Sequence, residues 1–254
     1  MQTMKIILLG AGKLGKQLYR AFVCSPEIDF VQWYDRSAKT KVSAEGIPIT
    51  SSLTDIQEAD LYLLAVSDDA ISEVAVKLPH SAFVAHTAGG VPINDIPQKR
   101  KGVFYPLQSF SNNQKIDFST IPFGIEASIP EDQELLIQLV SLLGASCQLL
   151  SSSQRETLHL AAVLVNNFTN HLLTQAAALC TSQKLPFELL QPLLLETVQK
   201  QEKLTPRQAQ TGPALRKDQK TINRHLKLIE NEDLEKIYKT LTASIQKFYE
   251  NEKL

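Results

Sequence analysis

The segment Lys5 to Gly15 reads KIILLGAGKLG, an apolar strand over Ile6 to Leu9 that runs straight into Gly10-x-Gly12-x-x-Gly15. Glycines at this spacing answer three separate demands. Gly10 permits a sharp turn out of the strand, Gly12 lets the main chain approach a pyrophosphate, and Gly15 lets the next helix lie close to the sheet. A phosphate then rests at the helix N-terminus, among free N–H groups and in the positive field of the helix. Lys13 and Leu14 stand between the last two glycines and belong to the same cradle. Glycine-rich turns match this pattern by chance, but the surroundings support it here. A helical stretch from Leu14 to Val23 follows, and a second strand, Phe30 to Tyr34, ends in Asp35 about 20 residues on.

A chain of 254 residues with 43% hydrophobic content can bury a substantial core in two domains or one large one. Its net charge of -1 gives no basic excess to draw it to nucleic acid or to an anionic membrane. Cys24, Cys147 and Cys180 are scattered without CxxC or metal-ligand spacing, so free thiols are expected rather than a disulfide or a zinc site. The first strand begins so early that no signal peptide is expected before it, and no apolar run approaches the ~18 residues that a membrane span needs. A cytoplasmic protein is the expectation.

Further strand-like runs follow: Asp60 to Val66, Ala82 to His86, Val103 to Tyr105, Phe123 to Ala127 and Ser146 to Leu150. Between them lie helical stretches over Ala70 to Lys77 and over 131–143, the latter closed by Gly144. Alternation of this kind, with strands apolar along their whole length, predicts a doubly wound, mostly parallel sheet covered on both faces. From Ser151 onward helical periodicity replaces it. Ser151-Ser152-Ser153 caps a helix running from Gln154 to about Cys180, Pro186 and Pro192 break the next stretch, and Thr205-Pro206 the one after. The expected division is a dinucleotide-binding domain over 1–152 and an all-helical domain over 153–254. Residues 199–254 hold 12 Lys or Arg against 8 Asp or Glu, which a solvated helical face explains.

In a doubly wound sheet ligands bind beyond the carboxyl ends of the strands, so the residues there are the candidates. Asp35 suits the ribose hydroxyls of NAD, whereas Arg36 suits the 2′-phosphate of NADP, and the pair leaves both open. Val66 ends the strand whose loop lies against a cofactor, and Ser67 and Asp68 follow it; Asp68 and Asp69 also suit the start of the helix at Ala70. His86 and Thr87 end a strand, and Ala88, Gly89 and Gly90 then let a ligand come close to the backbone, which places this loop at a nicotinamide pocket. Tyr105 to Ser109 supplies either a pocket wall or bare packing. Along Leu158 to Leu173, His159, Asn166 and Asn170 fall at offsets of seven and eleven, within about 20° of one line at 3.6 residues per turn. Asn167 lies about 80° away. Amides on a largely apolar helix must meet water, another domain or a ligand. Gln210-Thr211-Gly212-Pro213 reads as a helix start with Thr211 or Gly212 as N-cap, leaving Arg216 and Asp218 as candidates to reach a site.

With the glycine motif, LLAVSDDAI, HTAGG and a helical second half, the chain resembles a superfamily of NAD(P)-dependent reductases and dehydrogenases. Pyrroline-5-carboxylate reductase, 6-phosphogluconate dehydrogenase and deazaflavin-dependent NADP oxidoreductase are among its members. Through YPLQSFS, HLAAVLVNNFTNHL and QTGPALRKD it is most similar to a bacterial family that joins a Rossmann-like domain to a C-terminal domain of unknown function. The resemblance implies a Rossmann fold followed by an all-α domain like the C-terminal domain of 6-phosphogluconate dehydrogenase, NADP or NAD as cofactor, and a homodimer built through the helical domains. It supplies no substrate. The family glycines map onto Gly10, Gly12 and Gly15, and HTAGG and YPLQ occupy the places of ligand-contacting loops. The β-hydroxyacid dehydrogenase relatives use a lysine, with an asparagine four positions later, on the first interdomain helix. Here His159 is followed at that spacing by Val163, and Asn166 comes a turn further on, so the catalytic lysine is missing.

The sequence thus points to an oxidoreductase that moves hydride to or from a small polar carbonyl, imine or alcohol. In this reading His159 serves as proton donor or acceptor, Asn166 orients the substrate, and His86 is the competing acid–base candidate. The alternative is a nucleotide-binding sensor or partner-binding protein that kept the fold without the reaction.

Overall fold

The computed structural model describes residues 3–110 and 116–250. The chain divides into two compact units, Met1–Phe168 and Thr169–Leu254. In the first, β1 (Met4–Leu9), α1 (Lys13–Val23), β2 (Ile28–Tyr34), β3 (Ile49–Thr50), β4 (Leu61–Leu64), α2 (Ile71–Ala75), β5 (Val84–His86) and β6 (Lys101–Pro106) build a sheet with its helices. They are followed by β7 (Pro122–Ala127), α3 (Pro130–Leu142), β8 (Ser146–Leu149) and α4 (Ser152–Ala162).

The strands form one sheet in the order β3-β2-β1-β4-β5-β6-β7-β8. Among the described strands only β6 and β7 pair antiparallel. The first six strands have the doubly wound order, which reverses between β1 and β4 and opens a crevice beyond their carboxyl ends. Side chains alternate across the sheet. Ile6, Leu8, Leu61 and Leu63 face one core with Leu18 and Phe22 of α1 and Leu136 and Leu139 of α3. Ile7, Leu9, Tyr62 and Leu64 face the other with Ile71 and Ala75 of α2. Burial on both faces is why these strands read as unbroken apolar runs.

Two local readings need correction. The two-residue edge strand β3 is absent from the strands read in the sequence; it is held by backbone pairing, with the Trp33 N–H donating to the Pro48 carbonyl at 2.9 Å. The helix expected from Pro213 begins six residues later, because Lys217 takes a left-handed φ of 55° and Asp218 caps the helix that follows.

The division of the chain falls inside the helical run, between Phe168 and Thr169, whereas the sequence reading places it at 152/153. The start of α4 explains why the first unit reaches so far. Ser151 and Gln154 close a capping box, and Arg155, one turn in, is 1% exposed and bonded into the sheet unit.

The second unit consists of α5 (Thr169–Ser182), α6 (Gln191–Gln199), α7 (Pro206–Ala209), α8 (Gln219–Leu228) and α9 (Glu232–Glu250). Pro192 sits in the first turn of α6, where its missing N–H costs nothing, so it opens that helix instead of breaking it. Asp218 accepts from the Thr221 N–H at 3.1 Å and the Thr221 hydroxyl at 2.8 Å, and these bonds hold its carboxyl below the usual range. Leu189, Leu193 and Val198 remain exposed. Among the described residues no helix is long and apolar enough to cross a membrane.

Candidate functional site

At the carboxyl end of β1 the three glycines each show a physical reason. Gly10 has a φ of +122°, and a Cβ there would collide with the Ala65 carbonyl, so the ends of β1 and β4 touch through bare backbone. A Cβ on Gly15 would collide with the Gly10 carbonyl, which fixes how closely α1 lies against the sheet. Gly12 is the opposite case: a Cβ there would meet nothing within 4 Å. Its backbone borders open space, and as N-cap of α1 it offers no side-chain bond to the first N–H groups of that helix. Those donors are therefore available to an anion. The Trp33 indole N–H holds the Gly10 carbonyl at 2.9 Å, and its ring stacks on Tyr19.

Gly10, Gly12, Lys13 and Leu14 line a cavity of about 510 Å³ together with Asp35, Arg36, Ser37, Val66 and Ser67. Asp35 Oδ1 accepts from the Ser37 N–H at 2.9 Å and the Ser37 hydroxyl at 2.8 Å, so part of its acceptor capacity is already engaged. Asp68 is not among the lining residues; it opens the 3₁₀ turn Asp68–Ala70 that leads into α2.

The loop after β5 is tied to the neighbouring strand, because the N–H and hydroxyl of Thr87 both donate to the Leu64 carbonyl, at 3.1 and 3.2 Å. His86 is fully buried and lines neither this cavity nor the one described below. The Ala88 N–H donates to its Nδ1 at 3.2 Å, which places the ring proton on Nε2, and Nε2 has no hydrogen-bond partner among the described residues. Burial, then the nearby Arg155 cation, pull its pKa down to about 4; the Pro92 backbone opposes this without forming a bond of acceptable geometry to Nε2. His86 is thus neutral at working pH and enclosed.

An unfolded histidine titrates near 6.5, so this group favours folding fully above that pH and loses its contribution as pH falls toward 4. The loss amounts to about 3 kcal/mol. Urea unfolding at pH 7 and 4.5 is expected to show it, and His86→Asn to flatten it; an unchanged slope in the variant contradicts the assignment.

Arg155 escaped the sequence reading. Its Nη1 donates to the carbonyls of Gly89 and Val91, each at 2.8 Å, and its Nη2 donates to Glu126 Oε2 at 3.0 Å and to the Ser152 hydroxyl at 3.2 Å. An arginine in the first turn of a capped helix gives no sequence signal of burial. It pins the glycine loop after β5 to β7 and α4.

Gly89 lies against two rings: a Cβ there would come within 2.5 Å of His159 Nδ1 and 2.7 Å of Tyr105 Cζ. The Tyr105 hydroxyl and His159 Nδ1 are 3.1 Å apart and share a hydrogen bond. Burial raises the Tyr105 pKa, with Arg155 opposing. Both residues line a cavity of about 400 Å³ with Leu107, Val163, Val165, Asn166 and Asn167. The ladder from Val163 to Phe168 is a π-helix. Its i→i+5 turns advance less per residue than 3.6-residue turns, so angles counted on a regular helix do not carry through it, and Asn167 joins Asn166 at the cavity. Asn170 belongs to the second unit.

Residues 121–245 match a family described as a domain of unknown function, DUF2520. A crystal structure from Bacteroides fragilis, provisionally named an NADP oxidoreductase, is 35% identical with a TM-score of 0.83, over 97% of this chain and 99% of that one. The chain belongs to one family with this Bacteroides fragilis protein and carries a DUF2520 domain. A Thermotoga maritima protein of 20% identity covers 98% of this DUF2520 chain and 100% of its own, with a TM-score of 0.73. Plasmodium falciparum pyrroline carboxylate reductase, solved with NADP bound, shares the fold at 12% identity and a TM-score of 0.59 over 97% of each chain. No curated protein matches the sequence.

Proposed function

We propose that this protein is an NAD(P)-dependent oxidoreductase acting on a small polar carbonyl, imine or alcohol. One observation carries the reading: Gly89 lies against the Tyr105–His159 pair, on a loop bonded back to the strand whose end lines the glycine cavity. Dinucleotide loop, glycine bridge and proton-bearing pair are therefore neighbours along the carboxyl edge of one sheet. The open backbone at Gly12 and the uncapped start of α1 fit a pyrophosphate, and Asp35, Arg36 and Ser37 fit the ribose end. The provisional name of the Bacteroides fragilis relative agrees with this reading.

When bound, the nicotinamide supplies or takes up hydride. His159 and Tyr105 hold the exchangeable proton across Nδ1 and Oη, Asn166 orients the substrate heteroatom, and Arg155 keeps Gly89 in place beneath them. Val163 stands where the hydroxyacid dehydrogenases place asparagine, with no lysine before it, and this reading gives the proton to the tyrosine–histidine pair instead. The apolar exposure of Leu189, Leu193 and Val198 supports a homodimer contact on the helical unit, and equilibrium sedimentation at the monomer mass would contradict it.

The test of function is oxidation of NADPH or NADH in the presence of a panel of aldehydes, ketones and imines. Turnover of at least one member is expected. Tight cofactor binding without any turnover favours the non-catalytic sensor.

A further inference from the structure

The cavity beside Tyr105 and His159 is lined by apolar side chains and by hydroxyl, amide and imidazole groups. None of the described residues around it is Lys, Arg, Asp or Glu. Leu107, Ala161, Val163 and Val165 form its walls, and its polar groups include the Tyr105 hydroxyl, the His159 ring and the amides of Asn166 and Asn167. The buried cation of the unit, Arg155, is engaged with the Gly89 and Val91 carbonyls and with Glu126, and does not line the cavity. A carboxylate entering such a space would give up water without gaining a cation from any of these described lining residues, a loss that neutral amides and hydroxyls do not repair. A neutral carbonyl loses far less and finds donors that match it.

We propose that this cavity selects an uncharged substrate, a short aliphatic ketone, aldehyde or imine or the corresponding alcohol or amine, with its reacting heteroatom at Tyr105 and His159 and a neighbouring polar group at Asn166 and Asn167. The proposal rests on the oxidoreductase reading and adds the substrate class. In reduction the carbonyl carbon gains hydride from the reduced dinucleotide and the oxygen gains a proton from the tyrosine–histidine pair, leaving the alcohol and the oxidised dinucleotide. The volume of about 400 Å³ accommodates a short aliphatic body.

The test compares 2-oxopentanamide with 2-oxopentanoate, which differ in charge at nearly constant shape, by calorimetric titration of the full chain with and without NADP⁺. The amide is expected to bind at least tenfold more tightly. Val165 is 76% exposed, so Val165→Lys places a cation on the rim without disturbing packing, and it is expected to narrow or reverse the preference. Failure of NADP⁺ to bind overturns the cofactor reading alone. Preference for the carboxylate, equal binding, or binding of neither ligand in either state overturns the neutral-substrate assignment.

Discussion

Replacing Arg155 by methionine is expected to remove about 3–5 kcal/mol of stability, a large fraction of what a domain possesses. The guanidinium is 1% exposed and donates to two loop carbonyls, a carboxylate and a hydroxyl. Methionine fills much of the volume but leaves the Gly89 and Val91 carbonyls without this donor and the Glu126 carboxylate, 16% exposed, without its cation. Glu126 still accepts from the Ser152 N–H at 3.0 Å and from the Ser152 hydroxyl, which limits the damage on that side. Lysine is a poor substitute, since one ammonium cannot reproduce the planar fork that reaches both sides of the loop. Urea unfolding of the full chain measures the effect, and a loss below about 1 kcal/mol would show that the network adds little beyond packing. Where the variant stays folded, the His86 pKa is expected to climb from about 4 toward its ordinary value, because a cation that depresses it is gone.

The second large effect concerns chemistry. His159→Gln is expected to lower turnover by on the order of 10²-fold or more, with cofactor affinity nearly unchanged, because glutamine keeps polarity but cannot carry the proton. Tyr105→Phe is expected to do the same, since it removes the hydroxyl 3.1 Å from His159 Nδ1. Residues acting as one unit are not additive, so the double variant should be little worse than either single one. Steady-state kinetics on the best substrate of the panel decides the matter. Wild-type turnover in His159→Gln would exclude it from the reaction.

Much of this was legible in the sequence where a residue's role is local. The glycines at 10, 12 and 15 declare a backbone geometry, and each has the contact or the open space that its position demands. Apolar strands also declared themselves, because burial on both faces leaves an unbroken signature. What escaped depends on longer-range packing or on departures from regular geometry. The 3.6-residue count could not foresee the π-helix from Val163 to Phe168 that brings Asn167 to the cavity beside Asn166. Nothing in a helical first turn marks Arg155 as buried, and Tyr105 became a partner of His159 only once β6 and α4 were side by side. His86 stood at a strand end like a catalytic residue, yet burial leaves it neutral and enclosed. The start of α8 was misplaced because a left-handed lysine is rarer than a proline at a helix start.

The most direct test of the central claim is calorimetric titration of the full chain with NADPH and NADH beside a Gly12→Val variant. Because a Cβ at Gly12 meets nothing within 4 Å, the variant should fold normally while its side chain intrudes on the space a pyrophosphate needs. Binding of a dinucleotide to the wild type, lost in the variant at an unchanged melting temperature, is the expected result, and selectivity between the two would show whether Asp35 or Arg36 governs the ribose end. No binding of either dinucleotide, or equal binding to the variant, would contradict the account.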